Sequence, residues 1–168
     1  MKTALIVGGT GMTGKQLTEL LLKDGRYSKL ILLVRRPMNL KHEKIEQVIF
    51  NFDYPNRSVV VADEIFCCLG TTIKTAGSKE AFYKVDHDYV SLIARVGFEN
   101  GIKRFAVVSA MGANKNSKVF YNKVKGMMEE TVSKTGYEAC LIFRPSLLLG
   151  HRNEFRLAEK IAQFFMAL

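Results

Sequence analysis

Residues 8–14 read GGTGMTG, directly after the apolar run Ala4, Leu5, Ile6 and Val7 and directly before a segment whose leucines recur at helical steps. Glycine inside a regular element costs roughly 0.5–1 kcal/mol relative to alanine, so Gly8, Gly11 and Gly14 at three-residue spacing demand a reason. A strand-to-helix turn supplies one for each. The first glycine permits a tight turn, the second lets backbone approach a pyrophosphate, and the third lets helix and strand pack closely. The helix amino terminus then offers unpaired N–H groups and a partial positive charge to phosphates. The spacing is G-x-x-G-x-x-G rather than the commoner G-x-G-x-x-G, and a glycine-rich hairpin also produces such clusters. Placement between strand and helix therefore carries the dinucleotide reading.

Working outward, short apolar runs alternate with helical patterns. Residues 5–7, 30–34, 48–52, 65–69, 105–108 and 140–143 are mostly apolar and rich in β-branched or aromatic side chains, as strands buried on both faces are. Between them, Leu17, Leu20 and Leu21 form one helical set ending at Asp24 and Gly25. Val85, Tyr89, Leu92, Ile93 and Val96 form a second, closing before Asn100 and Gly101. Phe120, Val124, Met127, Met128 and Val132 form a third, with Gly136 as the expected helix C-cap. This alternation predicts an α/β fold with a doubly wound parallel sheet in a three-layer αβα sandwich, as one domain over residues 1–168. No internal repeat or low-complexity tract interrupts it.

Composition fits that architecture. The 168 residues are 48% hydrophobic, enough for a core without staples. No leader of the charged-then-apolar kind opens the chain and no apolar run approaches a membrane span, so a cytoplasmic protein with no membrane partner is expected. Cys67 and Cys68 are adjacent and Cys140 stands alone, which suits strand packing better than disulfides or zinc. His42, His87 and His151 are far apart, and no metal site is expected. With 25 basic against 16 acidic residues the net charge is +9. The lysines are scattered rather than clustered with aromatics, so a phosphate-bearing small molecule fits better than nucleic acid.

The second strand bears on which dinucleotide. An acidic residue about 20 positions past the glycines binds the ribose 2′-hydroxyl of NAD. Here the strand ends in Val34, Arg35, Arg36 and Pro37, with no carboxylate. Two guanidiniums suit a 2′-phosphate, which favours NADP(H) over NAD, unless the arginines merely solvate a strand end. Asp53, just past the third strand, is a candidate for the adenine.

A second constellation lies in VVSAMGANKNSKVFYNKVKG, residues 107–126. Tyr121 and Lys125 are four apart and share a helix face. Ser109 closes a strand at the sheet end where ligands of such folds bind. Hydride transfer to or from a carbon–oxygen centre wants this set. A tyrosine with an unperturbed pKa of about 10 reaches about 7 only with about 4 kcal/mol of preferential phenolate stabilisation. A nearby ammonium is one source, and serine hydrogen-bonds the substrate oxygen as charge develops. A Y-x-x-x-K match arises by chance roughly half a time in such a chain, so its value rests on the upstream serine and on the order of the motifs.

With these motifs in hand, the chain resembles the short-chain dehydrogenase/reductase superfamily, and within it the small atypical members related to the Tat-interacting oxidoreductase-like and NmrA-like proteins. The resemblance rests on GGTGMTG, LVRR, CLGTTIKTAGSKEAFYKVDHDYV, VVSAMGA, YNKVK and FRPSLLLG and spans nearly the whole chain. It implies a catalytic trio of Ser109, Tyr121 and Lys125, with Lys125 also holding the nicotinamide ribose. It implies cofactor contacts at Gly8, Thr10, Gly11, Met12, Thr13 and Gly14, at Leu69, Gly70, Thr71 and Thr72, and at Pro145 and Ser146. A homodimer through the helices carrying Tyr89 and Tyr121 is a further implication. Three features depart from the pattern. Ala110 follows Ser109 where many relatives carry a second serine, and Asp86 stands where many have asparagine. The chain also ends soon after FRPSLLLG, where the resemblance implies a further substrate-walling segment. The tail residues Phe155, Leu157, Ile161, Phe164 and Phe165 are spaced as an amphipathic helix.

Three functions stay open on this reading. One is an NADP(H)-dependent oxidoreductase acting on an unidentified carbonyl or alcohol. Another is an NADP(H)-binding regulatory protein without turnover. The last is a basic nucleic-acid module, marked by steeply salt-dependent affinity.

Overall fold

In β1 (Lys2–Val7), Ala4, Leu5, Ile6 and Val7 are all completely buried. Successive side chains of a strand point to opposite faces, so a strand apolar at every position needs cover on both. The computed structural model, which describes residues 1–146, supplies that cover. The strands are β1, β2 (Tyr27–Val34), β3 (Ile45–Ile49), β4 (Glu64–Cys67), β5 (Arg104–Val108) and β6 (Ala139–Phe143). They form one sheet in the order β3-β2-β1-β4-β5-β6, and every neighbouring pair is parallel.

Alternate residues of β1 sort the helices into layers. Ala4 and Ile6 pack with Leu30, Leu32 and Val34 of β2 and with Leu17 and Leu21 of α1 (Met12–Lys23). Leu5 and Val7 share the opposite core with Val90, Ile93 and Ala94 of α4 (Tyr89–Glu99) and Met128 and Val132 of α5 (Phe120–Ser133). The expected three-layer, Rossmann-like α/β architecture is therefore present in the described residues. The tail from Phe155 to Phe165, for which an amphipathic helix is expected, lies outside them.

Several boundaries differ from the expectation. β3 sits three residues earlier than 48–52, because it is an edge strand paired only with β2. Of Phe50 and Phe52, which read as its end, Phe50 still donates its N–H to the Val34 carbonyl of β2, and the two rings bury edge-to-face against each other, with Phe52 stacked on Tyr89 at 4.7 Å. β4 ends at Cys67, since Cys68 and Leu69 turn away to meet the glycine turn. Leu20 does not join the α1 core and is 66% exposed. The second helical set lies on one continuous path, Val85 in a π-turn over Lys84–Asp88 and Tyr89 to Val96 in α4, with α2 (Ile73–Ala76) and α3 (Lys79–Tyr83) before it. α5 is capped at Lys134 rather than Gly136, which lies two residues on with φ of +105°.

The edge opposite the glycine turn is tied by one carboxylate. Glu64 at the start of β4 accepts from Lys2, from the Tyr27 hydroxyl and from Arg104 at 2.8 Å. Burial pushes its pKa up, but these three donors outweigh burial and hold it at about 2, below the usual carboxylate range. A depressed folded pKa contributes stability above the unfolded value of about 4.3, and that contribution is lost as pH falls toward 2. Glu64→Gln is therefore expected to cost about 2 kcal/mol at pH 7, allowing for screening at the half-exposed Arg104, and about 4–8 °C in Tm. The difference from the parent should shrink toward pH 2. Equal melting temperatures at pH 7 would remove Glu64 from this role.

Candidate functional site

The glycine turn joins β1 to α1 at the carboxyl edge of the sheet, beside the point where the strand order reverses between β1 and β4. Gly8 has φ of +81°, and a Cβ there would lie 2.6 Å from the Cys68 carbonyl as the chain leaves β4. At Gly14 a Cβ would stand 2.2 Å from the Gly8 carbonyl oxygen. The protein's own backbone thus requires both glycines. Gly11 is different: its Cβ would meet only the Gly8 oxygen, at 3.4 Å. Gly11 is also the N-cap of α1, with no side-chain cap and no acidic residue in the first turn. The turn presents exposed Thr10 and half-buried Met12 and Thr13 around an uncapped helix terminus, a terminus suited to an anion.

β1 pairs with β2 so that Val7 lies opposite Leu33. Arg35 and Arg36 follow the end of β2 at the same sheet edge as the glycine turn that follows β1. Both arginines are exposed, and neither has an ion-pair partner among the described residues. Asp53 is more committed: Lys84 pairs with its Oδ1 at 2.7 Å and the Tyr89 hydroxyl donates to the same oxygen at 2.9 Å. These bonds hold its carboxyl below the usual range.

On the other side of β1, the 69–72 loop follows β4. Leu69, Thr71 and Thr72 are half-buried and Gly70 is exposed. Thr72 caps α2 by accepting from the Thr75 N–H at 2.9 Å. The Thr71 N–H donates to Asp86 Oδ2 at 2.8 Å. Lys125, from the second turn of α5, has its ammonium 2.8 Å from Asp86 Oδ1, and both side chains are almost wholly buried, at 4% and 1% exposure. Tyr121, one turn earlier, is half-buried with its ring 5.5 Å from that of Phe82. Its hydroxyl has no hydrogen-bond partner among the described residues. Ser109, the first residue past β5, donates its N–H to the Phe143 carbonyl, but its buried Oγ has no hydrogen-bond partner among the described residues. Buried hydroxyls are nearly always satisfied, and Ser91 Oγ is the other hydroxyl among the described residues in this state.

Pro145 and Ser146 leave β6 beside Ser109's strand, and the Met111 N–H bonds the Pro145 carbonyl at 3.1 Å. An apolar cavity of about 440 Å³ runs from Thr13 and Leu17 along Phe66 and Val108 to Phe143 and Pro145. Ser109, Tyr121 and Lys125 do not line it. Burial pushes the Cys67 thiol up to about 12 and that of Cys68 to about 11, so both remain protonated packing groups. Sequence reasoning left Asp86 without a role. It also did not foresee that Arg144 forks onto buried Glu129, with Nε 2.9 Å from Oε1.

Residues 8–156 match a family model described as NAD(P)H-binding. The chain belongs to this NAD(P)H-binding family. Rat Protein HTATIP2 is 35% identical over 170 residues, covering 98% of this chain and 70% of that protein. The mitochondrial Protein FMP52 of Eremothecium gossypii is 34% identical, covering 89% and 68%. The fold matches a Bordetella bronchiseptica enzyme, WbmH, solved in complex with NAD+, with a TM-score of 0.75, 16% identity and coverage of 99% of this chain and 64% of that one. MoeE5 in complex with UDP-glucose and NAD gives 0.69, 14%, 84% and 53%. The chain therefore spans between half and two thirds of these solved structures. Family membership bears out the dinucleotide reading at the level of NAD(P)H, and the relatives bear out the resemblance to Tat-interacting oxidoreductase-like proteins. No helix of the described residues is long and apolar enough to cross a membrane.

Proposed function

We propose that this family member is an NADP(H)-dependent oxidoreductase interconverting a small carbonyl compound and its alcohol. The observation that carries the reading is the buried Ser109 hydroxyl, without a hydrogen-bond partner among the described residues, at the same sheet edge as the uncapped glycine turn. The residues fit a dinucleotide: Gly11 leaves the helix terminus open, and Arg35 and Arg36 flank it on the side of β2. When bound, the nicotinamide supplies or accepts the hydride. Ser109 hydrogen-bonds the substrate oxygen, Tyr121 gives or takes that oxygen's proton, and Lys125 supports the ribose with donors that Asp86 does not use.

Calorimetric titration with NADPH and NADH tests the cofactor half, and a carbonyl panel then tests turnover. Arg35→Ala with Arg36→Ala should weaken NADPH about 30- to 100-fold, equivalent to about 2–3 kcal/mol for charge-assisted bonds to a phosphate, and NADH less than threefold. Equal losses would remove the 2′-phosphate site and leave NAD as the cofactor.

A second reading, a cofactor-dependent regulatory protein without turnover, is favoured by one feature. The Lys125 ammonium is already neutralised by Asp86, which reduces the charge it lends Tyr121. Partner association that depends on NADPH and survives Tyr121→Phe would select it. Pairing of two copies through α4 and α5 belongs to either reading and is checked by sedimentation. A cytoplasmic location and the mitochondrial one named for FMP52 are separated by cell fractionation.

A further inference from the structure

β4 and β5 are neighbours in the sheet, so the segments that leave their carboxyl ends flank the site of Ser109 and Tyr121 from two sides. Residues 69–83, from the first of these loops through α3, carry Lys74, Lys79 and a single carboxylate, Glu80. Residues 109–123, from Ser109 into the first turn of α5, carry Lys115, Lys118 and Lys123 and no carboxylate. Glu130 neutralises Lys115 at 2.8 Å. Lys74, Lys79, Lys118 and Lys123 are exposed and have no ion-pair partner among the described residues. The acids of the neighbouring elements are already committed. Asp53 is held by Lys84, Asp86 by Lys125, Asp88 by His87 and Glu129 by Arg144. The rim therefore carries an unbalanced positive charge that the protein itself does not answer.

Two of these lysines are placed by the neighbours of Tyr121. Lys79 Nζ lies 5.5 Å from the centre of the Phe120 ring, the residue before the tyrosine. Buried Phe82, from the same short helix as Lys79, meets the Phe120 ring at 6.0 Å and the Tyr121 ring at 5.5 Å, which ties α3 to the start of α5. Lys118 comes from the other segment, directly before Val119, the N-cap of α5. A cleft whose walls carry one sign of charge focuses its field and concentrates ligands of the opposite sign.

We propose that the carbonyl substrate is itself an anion, a carboxylate or a phosphate ester, with its charged group held by Lys79 and Lys118 while its carbon–oxygen centre lies at Ser109 and Tyr121. The inference rests on the oxidoreductase reading above and narrows its substrate class. Lys79 and Lys118 touch no reacting atom, so they set which carbonyl enters rather than how it reacts.

The test follows NADPH oxidation by the full chain at saturating NADPH, in a reaction that consumes carbonyl, NADPH and a proton and yields alcohol and NADP+. The probes are two pairs that differ by an anionic group: succinic semialdehyde against butanal, and glyceraldehyde 3-phosphate against glyceraldehyde. In at least one pair the anion should have the higher kcat/KM by about tenfold or more at about 0.01 M ionic strength. That advantage should shrink at least about threefold at about 0.15 M, as the screening length falls from about 30 Å to about 8 Å. The pair that shows it tells a carboxylate from a phosphate. Lys79→Gln with Lys118→Gln, both at exposed positions, should bring the anion-to-neutral ratio down to about threefold or below, through KM rather than kcat. Lys23→Gln, the exposed last residue of α1, removes a charge away from the rim and should leave the ratio as it is. Equal kcat/KM within both pairs, or an anion preference that the two glutamines do not move, overturns the inference and leaves the oxidoreductase reading standing. A chain that binds NADPH and turns over no member of either pair overturns that reading and this inference with it.

Discussion

Tyr121→Phe should lower turnover of any carbonyl substrate at least about a hundredfold while leaving NADPH affinity within about twofold of the parent. The asymmetry follows from what the hydroxyl touches. The ring makes its contact with Phe82 through carbon, and phenylalanine keeps that contact. The hydroxyl itself bonds nothing among the described residues, so its loss leaves no buried group unpaired and should move Tm by less than about 2 °C. What disappears is the group that gives or takes the substrate oxygen's proton, worth typically about 10²–10⁴ in rate. Ser109→Ala should be milder, since it removes a hydrogen bond to the developing charge rather than the proton itself. Steady-state kinetics and calorimetry on the same preparation check both halves. Turnover of Tyr121→Phe within tenfold of the parent would exclude the tyrosine from the chemistry, and a collapse of NADPH binding would make its role structural.

The layers were legible in the sequence because burial on both faces forces nearly every residue of a central strand to be apolar. Ala4 to Val7 and Leu30 to Val34 announce themselves for that reason. The edge strand β3 carries a weaker constraint. With one neighbour and Ile49 exposed, its apolar pattern is diluted, and the aromatic residues just beyond it mimic a strand end. The glycine turn was legible as well, since the backbone contacts at Gly8 and Gly14 admit no other residue. The π-turn was not, because one inserted residue shifts the helical phase without leaving a composition mark. Asp86 and Lys125 illustrate what a pairwise reading would have found. Asp86 lies one turn past buried Phe82, and Lys125 lies between buried Val124 and Gly126. Each is a charge on a helix face that otherwise turns inward, although Glu129, one turn past Lys125, is buried as well and pairs with Arg144 instead.

The same methyl group added at two glycines of the turn should give opposite phenotypes. Gly14→Ala puts a Cβ 2.2 Å from the Gly8 carbonyl oxygen and 2.8 Å from the Gly9 Cα, and all of these are backbone atoms with no rotamer to escape into. Relief requires α1 to move away from β1, opening the core that Leu21 shares with Ala4 and Ile6. A cost of about 3 kcal/mol or more follows from overpacking, read as a fall in Tm of about 6–12 °C or as insoluble protein. Gly11→Ala meets only the Gly8 oxygen at 3.4 Å, an ordinary contact, and its φ of −75° with ψ of 168° suits any residue. Stability should change by less than about 1 kcal/mol, because the poorer N-cap and the stiffer unfolded chain partly offset each other. The methyl group then stands in the open space before the helix terminus, where only a ligand has a use for the room. NADPH affinity should fall at least tenfold in a protein that still melts like the parent. If Gly11→Ala binds NADPH unchanged, the turn is a structural hinge between β1 and α1 and the phosphates lie elsewhere. If it melts as early as Gly14→Ala, the distinction between a glycine kept for the fold and one kept for a ligand fails at this turn.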